Sequence, residues 1–200
     1  DSLRCMLNGS DTLVVAQTTD TDWTLEGVTW NSDATDIRFL AFHKVLLWGI
    51  SNAGQLYFTS NLTNGWTVDA VLRLPAGSAT GLFVGPSMNP DSEDTVLYAA
   101  TVYGPYAHDS ENTRFVEPKM LLPYHPNNGR GAREWRGAIY FPAGNAVIEY
   151  RPGLPARLVG PDLDDGLPTD RRGSITTSAK SHNDLIVGID STIGSVTTMN

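Results

Sequence analysis

Four short apolar runs recur along this chain at nearly constant spacing. Aligned on their first branched or aliphatic residue, they begin at Val45, Val96, Ile139 and Leu185, separated by 51, 43 and 46 residues. Turn residues and a further run follow in the clearest cases: "NAG" then "QLYFTS", "GN" then "AVIEY", "STIGS" then "VTTMN". A run also precedes each of them: "DIRFLAF", "TGLFVG" and "GSITTSA", with a poorly marked counterpart in "GAREW" before Ile139. A fourth run, "WTVDAVLRL", completes one unit, and "KMLLP" and "ARLVGP" are its expected counterparts. Trp23 and Trp66, 43 residues apart, then both open a fourth strand. A unit of about 40–50 residues that repeats must bury its apolar surface against its neighbours, which limits the fold more than any local propensity.

The runs are strands. They are four to eight residues long and rich in Val, Ile, Leu, Tyr and Phe, with turn residues between most of them. The 19 Gly and 12 Pro are scattered, as many short elements joined by turns require. No window of 11 or more residues combines helical apolar spacing with freedom from Gly and Pro. The second runs, such as "VLLWGI" and "IYFPAG", are almost continuously apolar, so both their faces should be covered. Gly49, Ala99, Ala100, Ala143 and Gly188 would let neighbouring sheets approach closely.

The expected fold is therefore all-β and β-propeller-like, made of four-stranded antiparallel blades. Complete blades are placed at 34–76 and 79–125, a shorter one at 131–161 and the first strands of another at 173–200, with 11–31 a partial blade. These form a single module, 1–200, read as a segment of a longer chain. A ring of four and an arc of a larger ring both satisfy the spacing. The abrupt ends favour the arc, and a β-sandwich is the rival architecture.

The net charge of −8 and pI of about 4.8 oppose binding to a phosphate backbone. Arg130, Arg133 and Arg136 and the pair Arg171 and Arg172 are interrupted by Glu134 and Asp170. Nucleic acid is not an expected partner. Cys5 is the only cysteine, so neither an intrachain disulfide nor a cysteine metal site is expected. No apolar run approaches the length of a transmembrane helix, and membrane insertion is not expected.

Candidate chemistry is sparse. Asp162 and Asp164 resemble the start of a calcium loop, but Gly166 occupies the next ligand position and no closing Glu follows. His43, His108, His125 and His182 form no metal-binding pair. "GISNA" lacks the last Gly of a nucleophile elbow, leaving Ser51 as a hairpin residue. Asp36, Asp94, Glu134 and Asp184 precede inner strands of successive units and could converge as glycosidase acids. Asn8 and Asn61 match the glycosylation pattern at a frequency expected by chance. No catalytic residue, metal ligand or cofactor is assigned. The candidate partner-binding residues are Tyr103, Tyr106, His108, Tyr124 and His125, in the Tyr- and Pro-rich stretch from Tyr103 to Pro126.

"GLPTDRRGSITTSAKSHNDLIVGID", from Gly166 to Asp190, resembles a phrase in β-propeller domains of tailed-phage virion proteins, where a Leu-Pro-x-Asp-Arg segment leads into a blade. "GAIYFPAGNAVIEYRPG" before it is similar in character. The likeness covers about the C-terminal 70 residues and contains no catalytic motif, so it assigns no functional residue. It implies a non-enzymatic structural or attachment module of a virion tail or fibre. Expected partners are other virion proteins and a host-surface glycan or protein, and the expected location is the extracellular particle. The alternative is a carbohydrate-acting propeller, either lectin or glycoside hydrolase. Two facing carboxylates within about 10 Å would distinguish the hydrolase.

Overall fold

The computed structural model describes residues 3–7, 13–17, 37–60, 66–74, 76–109, 114–116, 124–160, 173–193 and 196–199. Its elements are β strands in small antiparallel sheets, with no helix among the described residues. The chain divides into two compact units, Asp1–Ala79 and Thr80–Asn200.

The first unit opens with a hairpin of β1 (Leu3–Leu7) and β2 (Leu13–Gln17). Strand β1 is not among the expected runs. The expected strand at Trp23 lies outside the described residues. A four-stranded meander follows: β3 (Ile37–His43), β4 (Leu46–Ser51), β5 (Gln55–Thr59) and β6 (Thr67–Arg73). Ile37, Ile50, Leu56, Trp66 and Leu74 are buried in it. Trp66 immediately precedes β6, as its place in the repeat predicts. Its ring lies over Gly49 of β4, where an added Cβ would stand 3.0 Å from Ile37 and 3.3 Å from Trp66. The small residue at 49 is thus required by packing within the unit. The segment after β6 closes over the β4–β5 turn: Leu74 N–H donates to Gly54 O at 2.8 Å, and Gly77 N–H to Asn52 O at 2.7 Å. Ser51 is the expected hairpin residue, its Oγ accepting from Gln55 N–H at 3.1 Å.

The second unit contains three consecutive meanders. The first comprises β7 (Ala79–Pro86), β8 (Thr95–Thr101), β9 (Gly104–Asp109) and β10 (Arg114–Val116), β7 starting at the boundary residue. The second comprises β11 (Arg133–Trp135), β12 (Ala138–Ala143), β13 (Ala146–Tyr150) and β14 (Arg157–Gly160). The third has β15 (Ser174–Lys180), β16 (Leu185–Ile193) and β17 (Val196–Met199). Three expectations shift. Val45 is a turn residue before β4 rather than a strand residue, because the β3–β4 hairpin closes at His43 and Leu46. The fourth strand of the β7–β10 sheet is Arg114–Val116, whereas "KMLLP" falls outside the described residues. The stretch from Tyr103 is not one loop, since β9 occupies Gly104–Asp109.

Every residue of β12 is buried, and its side chains divide between two clusters. Ile139, Phe141 and Ala143 join Phe83, Tyr98 and Ala100 of the β7–β10 sheet. Ala138 and Tyr140 join Ile175, with Leu185, Val187 and Ile189 of β16 packed alongside. Alternate side chains point to opposite faces of a strand. The β11–β14 sheet therefore lies between the other two, which explains the unbroken apolar character of "AIYFPA". Close approach needs glycine at several places, Gly85 and Gly131 among them. At Gly85 a Cβ would stand 2.8 Å from Ile139 Cδ1. At Gly131, where φ is +70°, it would stand 2.8 Å from Ser178 N.

Candidate functional site

A cavity of about 510 Å³ opens between the β11–β14 sheet and the β15–β16 hairpin. Its floor follows from strand register. Arg133, Tyr140, Glu149 and Arg157 are successive Cα partners across β11, β12, β13 and β14, forming one row on one face. Tyr140, Glu149 and Arg157 of that row line the cavity, together with Trp135, Val147 and Val159. Asn183, Asp184, Leu185 and Val187 form the opposite wall.

Glu149 is the chemical centre of the floor. It is 3% exposed, in the middle of an apolar strand. Two arginines occupy its two oxygens: Arg151 Nε donates to Oε1 at 2.6 Å, and Arg157 Nε donates to Oε2 at 2.8 Å, with Arg157 Nη2 2.6 Å from Oε2. Burial pushes the Glu149 pKa up, but the hydrogen bonds and charges of Arg151 and Arg157 outweigh it and hold the carboxyl below the ordinary glutamate value. Burial first, and then the Glu149 charge, raise the Tyr140 pKa. The phenol therefore stays protonated beside a carboxylate that stays charged.

The mouth is braced by the β11–β12 turn. Arg136 and Gly137 take positive φ values of 52° and 71°, as a two-residue hairpin between Trp135 and Ala138 demands. The Arg136 guanidinium lies 4.3 Å from the centre of the Trp135 ring, and its Nη2 donates to Asn183 O at 3.3 Å. Trp135 also meets Tyr140 edge to face, with centroids 5.5 Å apart. One residue thus steadies an aromatic ring and fastens the opposite wall.

The residues singled out from sequence lie elsewhere, on or near β8 and β9. Tyr103 and Tyr124 come together, 52% and 67% exposed, with ring centroids 5.6 Å apart. Tyr103 sits in the β8–β9 turn. Val102 O of that turn accepts from His125 N–H at 3.2 Å and from the Asn128 side-chain amide at 2.7 Å, which attaches the 124–128 segment to the hairpin. His125 Nδ1 accepts from Asn127 N–H at 3.1 Å. Tyr106 is part-buried on β9, and His108 is buried. The structure therefore gathers Tyr103, Tyr124 and His125 and separates His108 from the exposed rings.

The four acids considered for catalysis do not form one centre among the described residues. Asp36 lies outside them, and Asp94 is exposed before β8. Glu134 accepts from Gly137 N–H at 3.1 Å and pairs with Lys180 at 3.3 Å. Asp184 alone of the four lines the cleft. Asp162 and Asp164 are outside the described residues. Among the described residues, no group of three or more His, Cys, Asp or Glu gathers to hold a metal ion, and no helix is long and apolar enough to cross a membrane. Sequence reasoning missed the cleft. Its one available signal was Glu149, a charge inside "AVIEY" with Arg151 two residues later.

No protein-family model matches the chain, and no curated protein matches it. Solved structures do. The extracellular domain of a hybrid two-component system from B. thetaiotaomicron superposes with a TM-score of 0.63 at 16% identity, over 96% of this chain. This chain spans 25% of the length of that neighbour. The computationally designed protein Ika4 superposes with a TM-score of 0.53 at 13% identity, covering 88% of this chain and 96% of Ika4. Identities this low speak to fold alone.

Proposed function

We propose that the chain is a non-enzymatic recognition module of β-propeller type, acting as a structural or attachment part of a larger assembly. The state of Glu149 carries the choice of binding over hydrolysis. Two-carboxylate glycoside hydrolysis needs one carboxyl kept protonated near neutral pH as the acid. Arg151 and Arg157 shift Glu149 in the opposite direction and occupy both its oxygens. A buried, saturated carboxylate organises a surface better than it transfers a proton.

The propeller reading is supported by consecutive four-stranded meanders and by the face-to-face packing of three sheets in residues 80–200. Pairing of two of the repeated second strands within one sheet would overturn it. The virion setting, with other virion proteins or a host surface as partners, rests on the phrase around "LIVGID". Exposed Tyr103 and Tyr124 supply a candidate contact surface of paired aromatic rings. The test replaces Tyr103, Tyr106 and Tyr124 together with Ala in the parent particle and incubates the purified chain with a glycan panel. Weakened assembly or adsorption with an unchanged β spectrum is expected, along with no released sugar. Normal assembly and adsorption, or hydrolysis of any glycan, would defeat the reading.

A further inference from the structure

We propose that the cleft over the β11–β14 sheet binds a neutral sugar, the pyranose end of a glycan. This rests on the chain being a binding module and names the ligand class of one of its sites. The cavity, about 510 Å³, falls within the roughly 300–1,000 Å³ usual for small-molecule sites. Its composition is amphipathic in the way a pyranose is. Beside Glu149 and Arg157, Trp135, Tyr140 and Val147 give the floor an apolar part for the C–H face of the ring. Asn183 and Asp184, exposed on the wall, offer the donor and acceptor mixture that hydroxyl groups need.

Charge disfavours the main competitors. A phosphate or sugar acid needs an available cation, and the one arginine that lines the cleft, Arg157, holds Glu149. Arg151 and Arg157 hold Glu149, Arg151 Nη1 donates to Arg136 O at 3.1 Å, and Arg136 stacks on Trp135 and binds Asn183 O. An anion would also face Asp184 and a chain of net charge −8. The floor is fixed before any ligand arrives, because Arg136 and Tyr140 both hold the Trp135 ring and Arg136 tethers the opposite turn. Binding therefore orders little, and even a small ligand gains from contact.

The test titrates the full chain with maltotriose, cellotriose and N,N′,N″-triacetylchitotriose, and with trigalacturonic acid as the acidic control. Tryptophan fluorescence and saturation-transfer NMR follow binding. Saturable binding of at least one neutral trisaccharide is expected, weakened about tenfold or more by Asp184→Ala. Trp135→Ala should abolish it, and Trp135→Phe should retain part of it. Asp184 is exposed, so its variant remains informative if Trp135→Ala unfolds. Absence of binding by all three neutral sugars overturns the proposal, as does preference for the acidic one or indifference to Asp184→Ala. Chromatography of the same mixtures separates the two readings. Cleavage would sink the non-enzymatic reading while leaving a sugar site, whereas sugar indifference with particle assembly still sensitive to the tyrosines would sink only the sugar site.

Discussion

Individual residues carry opposite kinds of strain and support. Trp66 is 2% exposed, and its ring fills the space above Gly49. Trp66→Ala should cost about 3–5 kcal/mol in urea unfolding, since neighbours so tightly placed can collapse only partly into the cavity. A loss below about 0.5 kcal/mol would show that the ring contributes little. Val45 is the reverse case. It has φ of 60° at an exposed hairpin tip, in the left-handed region that a β-branched residue resists. Val45→Gly should stabilise the chain by about 0.5–1 kcal/mol, the relief of left-handed strain exceeding the added chain entropy. Destabilisation in the same melt would mean that the side chain makes stabilising contacts. Glu149 couples the cleft to pH. Its folded pKa is lowered, so the unfolded chain binds more protons as it titrates. The stability it supplies is fully present above the ordinary glutamate value of about 4.3. It is lost as pH falls through the lowered folded value. Glu149→Gln should cost about 1–2 kcal/mol at neutral pH and flatten the acid limb of the stability curve. The partly exposed arginines keep the cost this modest. An unchanged acid limb would show that the pair contributes no linkage.

Sheets rather than residues set the next scale. The 127–132 segment joins all three sheets of residues 80–200. Thr80 Oγ1 donates to Asn128 O, Gly129 N–H donates to Pro142 O at 2.8 Å, and Ser178 Oγ donates to Gly131 O. Gly131 meets the backbone of β15 with φ of +70°, so a side chain there is opposed by both conformation and space. Gly131→Ala should cost at least about 2 kcal/mol in a thermal or denaturant melt. Loss of the β16 contacts should accompany it, seen as faster hydrogen exchange on β15 and β16. Wild-type exchange rates there would show that the third sheet docks independently of this loop.

At the scale of the molecule, every repeated unit delivers a meander, but the units are not equivalent. The second strand of the β11–β14 sheet is buried on both faces, whereas β16 is only part-buried over Leu185–Asp190. Native-state hydrogen exchange should therefore find the slowest amides of residues 80–200 on β12 and β13. Slower exchange on β16 would contradict the central position of the β11–β14 sheet.

The sequence by itself determined the all-β character and most of the strands, though not β1 or β10. A repeat of apolar runs punctuated by turns needs no partner to be read, because alternation and continuity of apolar residues are local facts. Hence Trp66 fell at the start of β6, and "GAREW" contained β11 despite its weak marking. Local reading was less sure at the edges. Val45 belonged to the turn because hairpin register, not hydrophobicity, decides where a strand begins. The cleft was beyond reach for a stronger reason. Arg133, Tyr140, Glu149 and Arg157 form a row only after four strands pair in one register, and Asn183 and Asp184 face that row only after a second sheet packs on it. Their sequence separations carry no trace of this. Tertiary structure alone decided that a charge inside an apolar strand would become the paired, buried centre of the cleft floor.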